Sequence, residues 1–161
     1  MSILGIDPGR YGALALYNPT TGDLTVHDMP TLQVGKRHLV DATEVARIID
    51  NWSAQIWEVW LEQVATRPGE GAVAAFAFGR GYGVLQGVIA ANFLPLQQVT
   101  PQSWKKALRV TGNKDESRAR ASALLPKHAG LWTLKKHEGR AEAALIALYG
   151  ARQSNPQGAP A

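Results

Sequence analysis

Ile3-Leu4-Gly5-Ile6-Asp7-Pro8-Gly9 opens the chain as an apolar run closed by turn residues, the pattern of a short buried strand. The residue that ends the strand is an aspartate. A desolvated carboxylate at the mouth of a central strand needs a cation, a donor or a proton. A second run, Ile56-Trp57-Glu58-Val59-Trp60-Leu61, ends the same way in Glu62-Gln63. Either acid alone could simply start a turn; two of them at two strand ends point to a metal site.

Outward from the first run, residues 2–7, 11–17 and 23–29 read as three successive strands, joined by turns at Pro8-Gly9-Arg10 and at Asn18-Pro19-Thr20-Thr21-Gly22. Residues 41–51 read as a helix with Val45, Ile48 and Ile49 on one face, and 56–62 as a strand. A long small-residue helix over 72–92 and a strand over 94–99 follow. Thr100 and Pro101 then supply the cap and first position of a short helix. Residues 114–125 and 138–152 read as the last two helices. Gly79, Gly81, Gly83 and Gly87 interrupt the long helix at roughly 0.8–1.0 kcal/mol each against alanine, which implies close approach to the sheet or to a partner chain. This order predicts an α/β fold: a mixed five-stranded sheet, antiparallel meander first and parallel strands after, with helices on both faces. One domain spans 1–153, and the proline- and glycine-rich stretch 154–161 is expected to be a disordered tail.

The 161 residues are 45% hydrophobic, which suits a single domain with its own core. No apolar run reads as approaching the ~20 residues of a membrane span, and the N-terminus enters a strand without a basic leader, so neither membrane nor secretion is expected. The absence of cysteine excludes disulfides, thiolate metal sites and thiol catalysis, and fits the cytoplasm. Net charge is +4, a balance that favours polyanion partners. Between Lys105 and Lys136 stand Lys105, Lys106, Arg109, Lys114, Arg118, Arg120, Lys127, Lys135 and Lys136 against Asp115 and Glu116 alone. Some of these form a solvated helical face; together they predict a phosphate-facing surface.

The last helix begins His137-Glu138-Gly139-Arg140-Ala141-Glu142. Glu138 and Glu142 are four apart and share a face, where like charges repel unless a cation intervenes. Glu138 also suits the helix dipole as a first-turn acid; Glu142 stands among alanines and leucines that pack the helix, where an acid is usually paired. Asp7, Glu62, Glu142 and Glu138 are thus expected to converge on a hard cation, Mg²⁺ or Mn²⁺. Two such ions can activate water and stabilise the departing 3′ oxygen of a phosphodiester. The histidines, His27, His38, His128 and His137, lack the spacing of a helical zinc pair; His137 alone adjoins the acids. No Walker loop or dinucleotide fingerprint is present, so no nucleotide cofactor is expected.

Ile6-Asp7-Pro8-Gly9, Leu61-Glu62-Gln63-Val64, Gly79-Arg80-Gly81 through Gln86-Gly87, Thr100-Pro101 before Trp104-Lys105, and Ala141-Glu142-Ala143 occur in an order that resembles the RuvC family of Holliday junction resolvases, within the ribonuclease H-like superfamily. The resemblance covers roughly residues 2–150. It implies a homodimeric Mg²⁺- or Mn²⁺-dependent endonuclease that nicks two opposed strands of branched DNA, leaving 5′-phosphate and 3′-hydroxyl ends. On this resemblance Asp7 would bridge two metals, Glu62 and Glu142 would hold one each, and Glu138 or His137 would complete the second or position the water. Arg67, Lys105, Lys106, Lys114 and Arg118 are the expected DNA contacts. The 72–92 helix is the expected dimer interface, with Phe76, Phe78 and Tyr82 supplying burial.

Two departures stand out. Bacterial members usually carry Asp or His three positions before the last helix acid; here that position is Gly139, and the run resembles a compact bacteriophage branch with an acid-Gly-Arg-Ala-Glu pattern. Bacterial members also place an aromatic wedge shortly after the strand glutamate, where this chain has Ala65-Thr66, so junction opening falls to other residues, Arg67 or Phe76. A non-catalytic junction-binding protein of the same fold is the alternative. An actin-like phosphotransferase is disfavoured because the chain is too short for two lobes.

Overall fold

The computed structural model describes residues 1–64, 69, 71–111 and 114–154, without the side chain of Lys114. Arg67, that lysine's side chain, and residues 155–161 of the expected tail therefore lie outside the described residues. The elements in chain order are β1 (Ser2–Asp7), β2 (Ala13–Tyr17), β3 (Leu24–Asp28), β4 (Thr31–Val34), β5 (Arg37–Val40), α1 (Ala42–Trp52), β6 (Ile56–Glu62), α2 (Ala72–Ala91), β7 (Leu96–Val99), α3 (Pro101–Ala107), α4 (Lys114–Leu124) and α5 (Glu138–Ser154). Short 3₁₀ segments cover Ser53–Gln55, Pro126–Trp132 and Lys135–His137.

The main sheet has the order β3-β2-β1-β6-β7, antiparallel on the β1–β2–β3 side and parallel across β1–β6–β7. This is the mixed five-stranded sheet that the strand order predicts. Side-chain alternation sorts it into two layers. Leu14 and Leu16 face the core with α1 and α2, while Ala13 and Ala15 face the core with α3, α4 and α5. On β1, Leu4 and Ile6 join the α1/α2 layer, whereas Ile3 and Gly5 meet α5. By the same period of two, Asp7 faces α5.

Gly5 sets how close α5 comes. A Cβ there would overlap the Ala143 carbonyl and the Ala147 amide, so helix backbone lies directly on strand backbone. Small residues along α5 (Ala143, Ala144 and Ala147, all fully buried) carry that contact.

β6 contains the one irregularity that matters for the site. Ser2 pairs with Ile56 but Ile3 pairs with Glu58, so Trp57 is inserted as a bulge. A bulge reverses which residues face which side. Ile56 lies in the α1/α2 layer, yet after the bulge Val59 and Leu61 do so too. Glu58, Trp60 and Glu62 therefore share the α5 face. Without that extra residue Glu62 would point away from Asp7.

Several expectations are corrected. The hairpin β4–β5 was not foreseen. It turns through Gly35 (φ 61°) and Lys36 with Val34 opposite Arg37, a two-residue turn with glycine first, and it forms a separate two-stranded sheet. Ser154, expected to begin the tail, ends α5 and donates to Glu58 Oε2 at 2.6 Å. Phe78 lines a cleft and Tyr82 packs on the core beside Leu85 and Ile89, both half-buried within the protein itself. α2 has the length and composition of a membrane span, contrary to the expectation that no apolar run approaches it. Arg80 stands mid-helix, and Gly81, Leu85 and Ile89 are buried in the protein's own interior.

Candidate active site

β1 and β6 end side by side, and their terminal acids lie beneath the first two turns of α5. The end of β1 and the start of α5 open, with the β4–β5 hairpin and α2 opposite, onto a cavity of about 1390 Å³ lined by Asp7, Glu138 and Glu142 among others. Glu62 lies deeper, 8% exposed, and accepts a 2.8 Å hydrogen bond from Trp104 Nε1 of α3. A buried indole needs an acceptor, so Trp104 and Glu62 hold each other in place. Glu142 Oε1 accepts from the Ser117 hydroxyl of α4 at 2.9 Å and pairs with Lys105 Nζ of α3 at 3.0 Å. Lys105 in turn lies 5.1 Å from the Trp104 ring centroid.

Asp7 keeps part of its surface open to the cleft while its carboxyl is crowded by protein atoms. Burial first, then the charges of Glu62 and Glu142, push its pKa from 3.8 up to about 8; the Gly9 N–H and Lys105 pull the other way. Three carboxylates thus crowd one place, and the charge that tempers them is a lysine ammonium. As they stand, no three His, Asp or Glu side chains among the described residues close into a single metal shell, because Glu142 is engaged by Lys105 and Ser117, and Glu62 by Trp104. The donor set is nevertheless all oxygen and short of positive charge, which suits a hard divalent cation.

Glu138 lines the cleft as the first residue of α5. His137 does not line it; its Nδ1 accepts weakly from the Leu134 N–H at 3.4 Å. Burial, Arg140 and Lys136 lower its pKa. The structure therefore sets Asp7 beside Glu62 and Glu142, places Glu138 on the same cleft as Asp7 and Glu142, and leaves His137 off it.

Gly139 has a structural cause. An added Cβ would overlap the Tyr11 carbonyl and Gly12, so α5 rests on the β1–β2 turn and no acidic side chain fits three positions before Glu142. Arg140 then clamps the helix, donating to both Asp28 oxygens at 2.6 Å and to the Leu131 carbonyl at 3.1 Å. Gly139→Ala is expected to cost about 1–3 kcal/mol through overpacking against rigid backbone and to lift Glu142 from Asp7. Urea midpoints and cleavage rates, measured together, check this.

The expected cations divide. Lys105, Lys135 and Lys136 line the cleft. Lys106 does not, and Arg118 pairs with Asp115 at 2.5 Å and donates to the Thr133 carbonyl at 3.2 Å. Arg120 donates to the Leu108 carbonyl at 2.6 Å. These last two support the fold. Other cleft cations come from places the sequence reading passed over: Arg10 on the β1–β2 turn, and Lys36 and Arg37 on the hairpin. The Gly35-Lys36-Arg37 triplet was the available signal for a cationic turn. Trp104 stands in the Thr100-Pro101…Trp104-Lys105 motif, but nothing in the sequence joins it to Glu62; for Ser117 there is no signal beyond its hydroxyl.

No protein-family model matches the chain, and no curated protein matches it in sequence. Solved structures do match. Thermus thermophilus RuvC in complex with a Holliday junction substrate superposes over 98% of this chain and 97% of its own, with TM-score 0.67 and 18% identity. The fold is that of RuvC. A further T. thermophilus RuvC structure gives TM-score 0.58 at 21% identity over 97% of this chain and 96% of that one. The yeast mitochondrial Holliday junction resolvase Ydc2 gives 0.57 at 14% identity, over 93% of this chain and 77% of that one.

Proposed function

We propose that this chain is a metal-dependent endonuclease that resolves four-way DNA junctions by paired phosphodiester hydrolysis, leaving 5′-phosphate and 3′-hydroxyl ends. The observation that carries the reading is the crowding of Asp7, Glu62 and Glu142, from two strands and one helix, to the point where the Asp7 carboxyl rises to about 8. A purely structural arrangement has no reason to gather three acids at a cationic cleft.

Asp7, Glu62, Glu142 and Glu138 would hold Mg²⁺ or Mn²⁺. When bound, the metal supplies Lewis acidity for water attack at phosphorus and for the departing 3′ oxygen. The chain's own residues do the rest. Trp104 fixes Glu62, Ser117 orients Glu142, and the Arg140–Asp28 clamp holds α5 over β1. Lys105, on the cleft beside Glu142, would offer its ammonium to a phosphate. Around them Arg10, Lys36, Arg37, Lys135 and Lys136 offer phosphate contacts that position DNA without specifying bases.

Two-fold association along α2 completes the reading. Gly79, Gly83 and Gly87 lie in one row with open space around them, and Val73 and Phe76 are 62% and 75% exposed. An isologous dimer presents two sites to opposed strands. Light scattering at micromolar concentration is expected to give twice the monomer mass; a monomer that still cuts in pairs contradicts it.

The Lys105–Glu142 ion pair favours a second reading, a non-catalytic junction-binding protein of the same fold. Cleavage of a four-way junction, a Y-fork and a linear duplex with and without Mn²⁺ separates the two, since only the nuclease nicks the junction. Arg37→Ala is expected to weaken binding to every DNA alike and to reduce the salt-dependence slope by about one; titrations at several salt concentrations measure this.

A further inference from the structure

Tyr11 occupies the turn between Asp7 and β2. Its ring is 75% exposed, and the Arg10 guanidinium lies 4.4 Å from the ring centroid. Both residues line the same cleft as Asp7, Glu138 and Glu142. A lone exposed aromatic needs no explanation, but this one is held in an unusual way. The Gly12 N–H donates to the Gly9 carbonyl at 2.8 Å, and the Met29 N–H donates to the Gly12 carbonyl at 2.9 Å. Gly139 of α5 packs against the Tyr11 carbonyl and Gly12. The backbone under Tyr11 is therefore pinned between the sheet and α5, while its ring projects to solvent. The ring's point of attachment is thus fixed, and a tyrosine has only two χ angles to order on binding.

We propose that Tyr11, backed by Arg10, is a stacking platform for an unpaired nucleobase beside the phosphate engaged over Asp7, and so selects branched over continuous DNA. The inference rests on the nuclease reading and adds to it a residue that chooses substrate. In a continuous duplex each base is covered on both faces, and the Tyr11 ring finds no partner. Where strands exchange, a base face is open. Stacking accepts any base because each has a π-face, so the selection is for shape and not for sequence. Arg10 adds a cation over the ring and positive charge for the flanking phosphate.

The test compares wild type, Tyr11→Ala and Tyr11→Phe for binding to a four-way junction and to a linear duplex of the same arm sequence, in Ca²⁺. A parallel series carries 2-aminopurine beside the cut sites to report stacking. Tyr11→Ala is expected to weaken junction binding about tenfold, or about 1.4 kcal/mol. Linear binding stays within about twofold, and the 2-aminopurine response is lost. Tyr11→Phe keeps the ring and is expected to keep the preference. A Tyr11→Ala protein that still discriminates, or that loses both DNAs equally, overturns the inference while leaving the nuclease reading intact. A Tyr11→Phe protein as impaired as Tyr11→Ala assigns the effect to the hydroxyl and overturns stacking. A wild type that binds both DNAs alike overturns the proposed function and the inference with it.

Discussion

Asp7→Asn is expected to abolish junction cleavage, by about three orders of magnitude on the scale of losing one preorganised charge-stabilising group, and to make the metal-free protein more stable at neutral pH. The second effect follows from the same crowding. Asp7 has a folded pKa of about 8 against 3.8 ordinarily, so between these values the folded state binds the extra proton. The contribution of this one group is then fully present below about pH 4, falls as pH rises toward 8, and is lost above it. A shift of that size corresponds to roughly 6 kcal/mol at its outer limit. Asparagine keeps the shape without the charge and removes the dependence. Melting temperatures of wild type from pH 5 to 8.5 without metal should fall, and Mg²⁺ or Mn²⁺ should restore them at high pH by neutralising the carboxylates; Asp7→Asn should give a flatter profile and a weaker metal response. A wild-type curve that rises over this range, or ordinary turnover by Asp7→Asn, would refute the carboxylate site.

The second large effect concerns α5. Glu142→Gln removes the acid paired with Lys105 and Ser117, and cleavage is expected to fall at least about 100-fold. Glu138→Gln is expected to fall nearly as far, because Glu138 lines the cleft one turn earlier, whereas His137→Ala should cleave normally. Single-turnover rates with saturating Mn²⁺ measure all three, and urea midpoints separate folding from chemistry. If Glu138 serves only the helix dipole, Glu138→Gln costs a fraction of a kcal/mol of stability and cleaves normally. That outcome would reduce the site to three protein carboxylates. A slow His137→Ala beside a normal Glu138→Gln would return the open position to His137.

Most of the fold was legible in the sequence because its elements are locally signed. Ser2–Asp7 and Ile56–Glu62 are short apolar runs that end in turn or polar residues, and the strands fall there. Thr100-Pro101 caps α3, with the Ser103 N–H donating to the Thr100 hydroxyl. Asp7, Glu62 and Glu142 could be singled out because an acid among apolar neighbours has to be explained. The hairpin β4–β5 was missed because its four-residue strands are largely exposed, so no burial pattern marks them.

What the sequence by itself determined is the identity of the acids, the strand and helix order, and the basic balance, since each depends on residue type and near neighbours. Tertiary structure alone decided the rest. The Trp57 bulge sets the face of Glu62, and a one-residue shift in pairing leaves no mark on composition. Gly139 against Gly12 fixes the height of α5, a contact between backbones some 127 positions apart. Lys105, Trp104 and Ser117 reach the acids across α3 and α4, while Arg118 and Arg120, of the same charge and segment as Lys105, are spent on the fold. Charge is a property of the residue; the partner it meets is a property of the packing.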